Sequence, residues 1–360
     1  MVHFTCSCGN ALFFENSLCL QCGSQVGYDL ETNEMVQLGN RGSPAPCRNG
    51  VDYQVCNWVT PCATDHPLCP ACRLNRTIPD LAGPGNCEAW RRMESAKRRV
   101  LYSLGRLGLR LKSKAEATDG LAFDFLSPTA TMPVLTGHQD GVITVNLLEA
   151  DDSYRETIRA TFREPARTLV GHFRHELGHY FWDRFFGNRS LRDPLLQSWR
   201  EIFGDESVDY EATLRAYHSL GPPASWQDTH ITAYAACHPW EDWAETWAHY
   251  LHIVEGTETA RHFGWSSEQV PIPFTPFAEE PLAEATQTDD SDFVATINGW
   301  AKLAPALNEI ATSLGGANLY PFVLSPSTVR KLHFVHHVIK DAGHPDKSDP
   351  PPTLAPAMAA

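Results

Sequence analysis

The sequence predicts an α+β protein: a mostly helical domain with a small sheet, preceded by a cysteine-rich metal-binding module. Three observations carry that expectation. Ten of the eleven cysteines fall before residue 88, so they belong to a local device. Beyond residue 87, apolar residues recur mostly at helical spacing, with two β-branched runs as strand candidates. Finally, His175-Glu176-Leu177-Gly178-His179 sets two imidazoles four residues apart, on one helical face, where they can share a cation.

In chain order, Cys6-Ser7-Cys8-Gly9 and Cys19-Leu20-Gln21-Cys22-Gly23 form two short knuckles, each closing on a glycine. Four thiolates so arranged hold a tetrahedral zinc, which gives Cys6, Cys8, Cys19 and Cys22 as one ligand set. A second set is Cys47, Cys56, Cys69 and Cys72, with Cys62 and His66 close enough to replace a member. One or two structural zinc ions are therefore expected. Residues 1–78 read as this zinc-ribbon module of rubredoxin-like knuckles, too poor in apolar material to fold without metal. Residues 79–86 read as a connector, and Cys87 and Cys237 as free thiols. Met1-Val2-His3-Phe4-Thr5-Cys6 has neither the basic start nor the apolar core of a secretory leader, so thiolate-bound metal in a reducing cytoplasm is expected over disulfides.

The second domain is expected over 87–342. It opens with a helix at 87–112, whose Lys97, Arg98, Arg99 and Arg106 read as a solvated basic face. Strands follow at 121–126 and 141–148, then a helix from Pro165 to Phe186. The segment 265–292, rich in Pro, Glu and Asp, reads as a surface loop near the cleft. Helical pattern returns at 298–314 and 327–339, and residues 343–360 form a tail disordered by composition. A net charge of −14 argues against nucleic acid as a partner. No stretch approaches the roughly 18 to 20 apolar residues of a membrane span.

The histidine pair anchors the chemistry. Glu176 lies about 100° further round the helix, where it can serve as general base without becoming a ligand. A catalytic zinc wants three protein ligands and an open position. The metzincin continuation is excluded, because Trp182 and Phe185 occupy the positions of its glycine and third histidine. The third ligand is therefore sought in Pro239–His252. There Glu241 and Glu245 share a helical face beside Trp243 and Trp247. The pair resembles the gluzincin pattern of a helical glutamate ligand followed four residues later by a second acid, which implies Glu241 as ligand and Glu245 as the acid that orients a ligating histidine, with the reverse order left open. Tyr234 is the candidate donor to a developing oxyanion, with His230 and His238 behind it. Asp183 can bond a ligand histidine or pair with Arg184 or Arg189. Asp205, Glu206 and Asp209 are weaker ligand candidates, read as a loop and helix start.

Gly171–Asp183 and His238–His252 resemble bacterial zinc-binding metallopeptidases with an amino-terminal zinc ribbon. The likeness extends to Phe13-Phe14-Glu15-Asn16-Ser17, Val55-Cys56-Asn57-Trp58 and Cys69–Pro79, covering about residues 1 to 340. It implies a zincin-like fold and one catalytic zinc beside the structural ones. More distantly, lethal-factor-type gluzincins carry a similar glutamate helix and an upstream catalytic tyrosine. That likeness implies Glu241 as ligand, Glu245 behind it and Tyr234 as the polarising hydroxyl, although Asp242 stands where an aromatic residue is expected. The reading is a cytoplasmic zinc peptidase acting on a peptide or protein substrate, with the ribbon as a possible protein-binding surface and no membrane partner. The competing expectations are a non-catalytic binding platform and an amidase acting on a peptide conjugate.

Overall fold

Two short antiparallel hairpins begin the chain in the computed structural model, which describes residues 2–39, 42–61, 66–129, 131–162, 168–278 and 290–343. Strands β1 (Phe4–Thr5) and β2 (Ala11–Leu12) form the first, and β3 (Val26–Asp29) and β4 (Glu34–Gln37) the second. Both knuckles turn on a glycine with positive φ, Gly9 at 86° and Gly23 at 71°. There the backbone folds back so that Gly9 and Gly23 donate to the carbonyls of Cys6 and Cys19. Helix α1 (Arg48–Tyr53) follows Cys47. The chain then returns past Cys69 and Cys72 into β5 (Asn75–Thr77).

Strand β5 does not close the ribbon. It pairs in parallel with β6 (Ala122–Leu126), at the edge of a four-stranded sheet ordered β5-β6-β8-β7. Strands β7 (Gly137–Gln139) and β8 (Val142–Asn146) make a hairpin closed by Asp140 and Gly141, whose φ values of 48° and 74° suit the two-residue turn. Between ribbon and sheet runs α2 (Asn86–Arg106). Its Tyr102 packs on Phe14 and Tyr28 of the ribbon. Its Lys97 lies over the rings of Phe123 and Phe125 on β6.

This placement corrects the expected basic face of α2. Lys97 and Arg98 are buried: Lys97 Nζ sits 2.9 Å from Glu94, and Arg98 donates to the carbonyl of Val55. Helix α2 also ends earlier than expected, at Arg106, where Gly108 adopts a φ of 76° and meets the backbone of Gly343.

The remaining helices are α3 (Asp152–Phe162), α4 (Leu169–Phe185), α5 (Pro194–Phe203), α6 (Tyr210–Leu220), α7 (Trp226–Thr229), α8 (Pro239–His262), α9 (Ser291–Ser313) and α10 (Pro326–Gly343). Thr168 caps α4 by accepting from Gly171, so the helix starts later than Pro165, which lies outside the described residues. Pro239 at the first turn and the His238 side chain accepting from Trp240 start α8 in the same way. Within the 265–292 segment, Asn298 fastens the backbone of Phe277, and α9 begins at Ser291. Residues 279–289 and 344–360, including most of the expected tail, lie outside the described residues, whereas Gly343 ends α10.

Helices α4 and α8 are the central pair. A methyl group at Gly178 would stand 2.9 Å from Ala244 Cα, so glycine permits the close crossing. Trp243 Nε1 donates to the Gly178 carbonyl at 2.8 Å, and the rings of Phe181 and Trp247 stack at 4.7 Å. Among the described residues no helix is long and apolar enough to cross a membrane.

Candidate metal centre

The crossing at Gly178 sets one face of α4 against the first two turns of α8. His175 Nε2 and His179 Nε2 come within 3.1 Å of each other. Glu241 Oε2 approaches them at 3.0 and 3.4 Å. Donors about 2.0–2.1 Å from a tetrahedral zinc are separated by about 3.3–3.4 Å, so the three atoms stand close to the edges of such a shell. Glu241 is 1% exposed, and its Oε2 makes no hydrogen bond despite two ring nitrogens beside it. An orphaned carboxylate oxygen facing two imidazole nitrogens, all buried, is the donor set a divalent cation satisfies. The residues present fit the ion.

Glu245 occupies a different place. Its Oε1 is 2.7 Å from His175 Nδ1, the ring nitrogen turned away from the cluster, and its Oε2 accepts from Thr232 Oγ1 at 2.7 Å. Tyr210 was not anticipated. From the start of α6, its hydroxyl donates to Glu241 Oε1 at 2.7 Å, leaving Oε2 for the cluster. Burial and the adjacent Glu241 push the Tyr210 phenol well up, so it keeps its proton. Tyr234 lies in the single turn Tyr234–Cys237, its ring 6.0 Å from that of His175.

Glu176 is buried and lies against His172, one turn earlier on α4, with Oε1 at 3.3 Å from its Nε2. His172 Nδ1 in turn meets Glu149 at 2.5 Å. Neither His172 nor Glu149 was singled out from the sequence, although His172 stands four residues before Glu176, one helical turn away. Burial opposes charge on His172, but Glu149 and Glu176 outweigh it and raise the ring to about 9. Burial likewise pushes the Glu176 carboxyl up, and His172, His175 and His179 bring it below the ordinary value.

A cavity of about 770 Å³ opens over the cluster, lined by His175, Glu176, Tyr210, Tyr234 and Glu245 together with apolar and aromatic side chains. Among the described residues no Lys or Arg lines it. None of the described residues of the 265–292 segment lines it, and residues 279–289 of that segment lie outside the described residues.

Other candidates stand apart. His238 caps α8, and His230 is 3.6 Å from Asp242. Asp183 reaches neither Arg184 nor a ligand histidine; it lies 3.8 Å from His138. Asp209 caps α6, and Glu206 pairs with Arg200 at 2.5 Å.

In the ribbon, Cys6, Cys8, Cys19 and Cys22 converge, as do Cys47, Cys56, Cys69 and Cys72. Sulfur separations of 3.6–3.7 Å exclude disulfides and lie near the edge of about 3.8 Å implied by Zn–S bonds of about 2.3 Å. His66 is exposed and bonds the backbone of Leu68, while Cys62 lies outside the described residues.

Comparison with known proteins places this geometry. Residues 86–338 match the family described as "putative zinc-binding metallo-peptidase", and residues 3–83 match a zinc-ribbon domain. An uncharacterized protein of Mycobacterium bovis and two from Mycobacterium tuberculosis strains are each 38% identical over 349 residues, covering 95% of this chain and 96% of the relative. No solved structure matches the chain.

Proposed function

The chain belongs to the "putative zinc-binding metallo-peptidase" family, and from that premise we propose that it is a zinc-dependent, gluzincin-like peptidase of the zincin class. The convergence of His175, His179 and Glu241 beneath an open cavity carries the reading. His175, His179 and Glu241 would hold the zinc, which would supply Lewis acidity for peptide hydrolysis.

The chain's own groups do the rest. Glu176, ionised and at the cavity wall, accepts a proton at its carboxylate and passes it to the departing amine. Glu245, fixed by Thr232, holds the His175 ring so that Nε2 faces inward. Tyr210 turns Glu241 so that Oε2 remains a donor. The Tyr234 hydroxyl serves the developing oxyanion. A cavity with three carboxylates, Glu149, Glu176 and Glu245, and among the described residues no Lys or Arg, favours peptides with apolar or basic side chains. The two cysteine clusters each hold a structural zinc, consistent with a reducing cytoplasm, and the ribbon offers a protein-contact surface; no membrane or nucleic-acid partner enters this reading.

The test is hydrolysis of a mixed peptide library by the zinc-replete chain. Wild type is expected to cleave it, and Glu176→Gln to keep its zinc and lose turnover. Cleavage by Glu176→Gln at the wild-type rate refutes the assigned base. A zinc-replete wild type that binds peptides and cleaves none favours the binding platform instead.

A further inference from the structure

A second histidine pair lies on the other side of α8. His333 and His337 are four residues apart on α10, and their Nε2 atoms stand 2.9 Å from each other. Asp290, at the entrance to α9, places Oδ2 at 2.9 Å from His333 Nε2 and Oδ1 at 3.1 Å from His337 Nε2. The arrangement repeats the separations of the His175, His179 and Glu241 cluster, again slightly inside the edge of about 3.3–3.4 Å expected around a tetrahedral cation.

Two features make an ordinary hydrogen-bonded triad a poor account. Asp290 stands at the N-cap of α9, where an aspartate ordinarily accepts from the helix's first amides, yet its side chain makes no capping bond. The carboxylate is turned to the histidines instead. It is also 5% exposed, and Oδ1 completes no hydrogen bond although a ring nitrogen lies 3.1 Å away. Two imidazole nitrogens directed at each other at 2.9 Å can share only one proton between them favourably. A cation satisfies all three lone pairs together.

We infer that Asp290, His333 and His337 form a further binding site for a first-row divalent cation, with zinc the best fit to two imidazoles and one carboxylate. The site is structural. Phe334 holds the position after the first histidine, where Glu176 stands in the α4 motif, and its ring packs toward Trp243 and Phe186. None of the three ligands lines the large cavity. The ion clamps the start of α9 to α10. Two residues before His333, Lys331 reaches Asp242 Oδ2 at 2.6 Å, beside Glu241 on α8. The clamp therefore stiffens the outer support of the helix that carries Glu241 and Glu245.

The experiment counts zinc in the full-length chain after zinc loading and removal of excess. His337→Ala and the near-isosteric Asp290→Asn are each compared with wild type and with His175→Ala. Both clamp variants are expected to lose about one zinc per chain, and combining either with His175→Ala to lose about two. A folded clamp variant with wild-type zinc content overturns the inference, while loss in His175→Ala alone leaves the peptidase reading intact. Should the clamp variants fail to fold, cadmium NMR of the exchanged wild-type chain decides. Two resonances of nitrogen- and oxygen-ligated cadmium are expected beside the thiolate-bound ones, and a single such resonance overturns the site.

Discussion

Gly178→Ala tests whether the α4–α8 crossing sets the metal centre. The added methyl group would meet Ala244 Cα at 2.9 Å, and Ala244 Cβ and O at 3.3 Å. Ordinary contact begins near 3.4 Å, so the helices must separate by about 0.5 Å, and the nearest atom is backbone that cannot rotate away. Overpacking of this kind costs about 1–3 kcal/mol, read as a Tm lower by about 2–4 °C per kcal/mol. The same separation draws Glu241 away from His175 and His179 and lengthens the Trp243 bond to the Gly178 carbonyl. Zinc affinity at this centre should therefore fall together with Tm. Differential scanning calorimetry and chelator competition on the full chain measure the two effects. A variant within about 0.5 kcal/mol of wild type that also holds zinc equally well would show that the crossing is slack.

Tyr210→Phe removes the hydroxyl bound to Glu241 Oε1; zinc affinity at the histidine centre should drop about 10- to 100-fold in chelator competition, with little change in fold. Lys97→Ala leaves Glu94 buried without its cation and should cost about 3–5 kcal/mol in denaturant unfolding. By contrast Arg91→Ala, which breaks an exposed pair with Glu88, should cost at most about 1 kcal/mol. Burial lowers His138, His230 and His249 to about 4. The unfolded chain takes up protons below about pH 6.5 while these folded rings resist until about 4, so stability falls as pH drops through that window. His249→Gln, which removes one such ring, should make the decline of Tm with pH shallower; an unchanged slope argues against it.

What the sequence made legible was local. The cysteine knuckles and the His175–His179 pair declare themselves because each partner lies within a few residues of the other. The zinc-ribbon start and the mostly helical remainder with a small sheet were readable for the same reason. Contacts set by the meeting of distant elements were not. Tyr210 reaches Glu241 from a helix 31 residues away. Lys97 and Arg98 looked solvated because their charges fit a surface helix. Yet α2 is covered on both sides, by the ribbon and by β6, and Glu94 and the Val55 carbonyl receive those charges. The pairing of β5 with β6 was equally hidden, since three residues give no periodicity to read. His333 and His337 carried the spacing of a metal pair in plain view. They lacked the glutamate that follows the first histidine in the α4 motif, and Asp290 meets them only through the packing of α9 on α10.

Helix α8 thus stands between two histidine pairs of nearly equal geometry, and their difference locates function. Spacing alone gives each pair a cation's donor set, so it cannot distinguish hydrolysis from support. The difference lies in the residue after the first histidine and in access. Glu176 faces a cavity large enough for a peptide segment, whereas Phe334 faces the aromatic core. Tyr210 and Glu245 also brace the α4 cluster from outside, leaving its three donors directed at one point beside that cavity. The three ligands of the α10 cluster do not line that cavity, and the polar link from Lys331 to Asp242 leads back into α8. A cation there binds helices together. On the proposed reading, chemistry in this chain belongs to α4, and the inferred clamp on α10 stiffens its support.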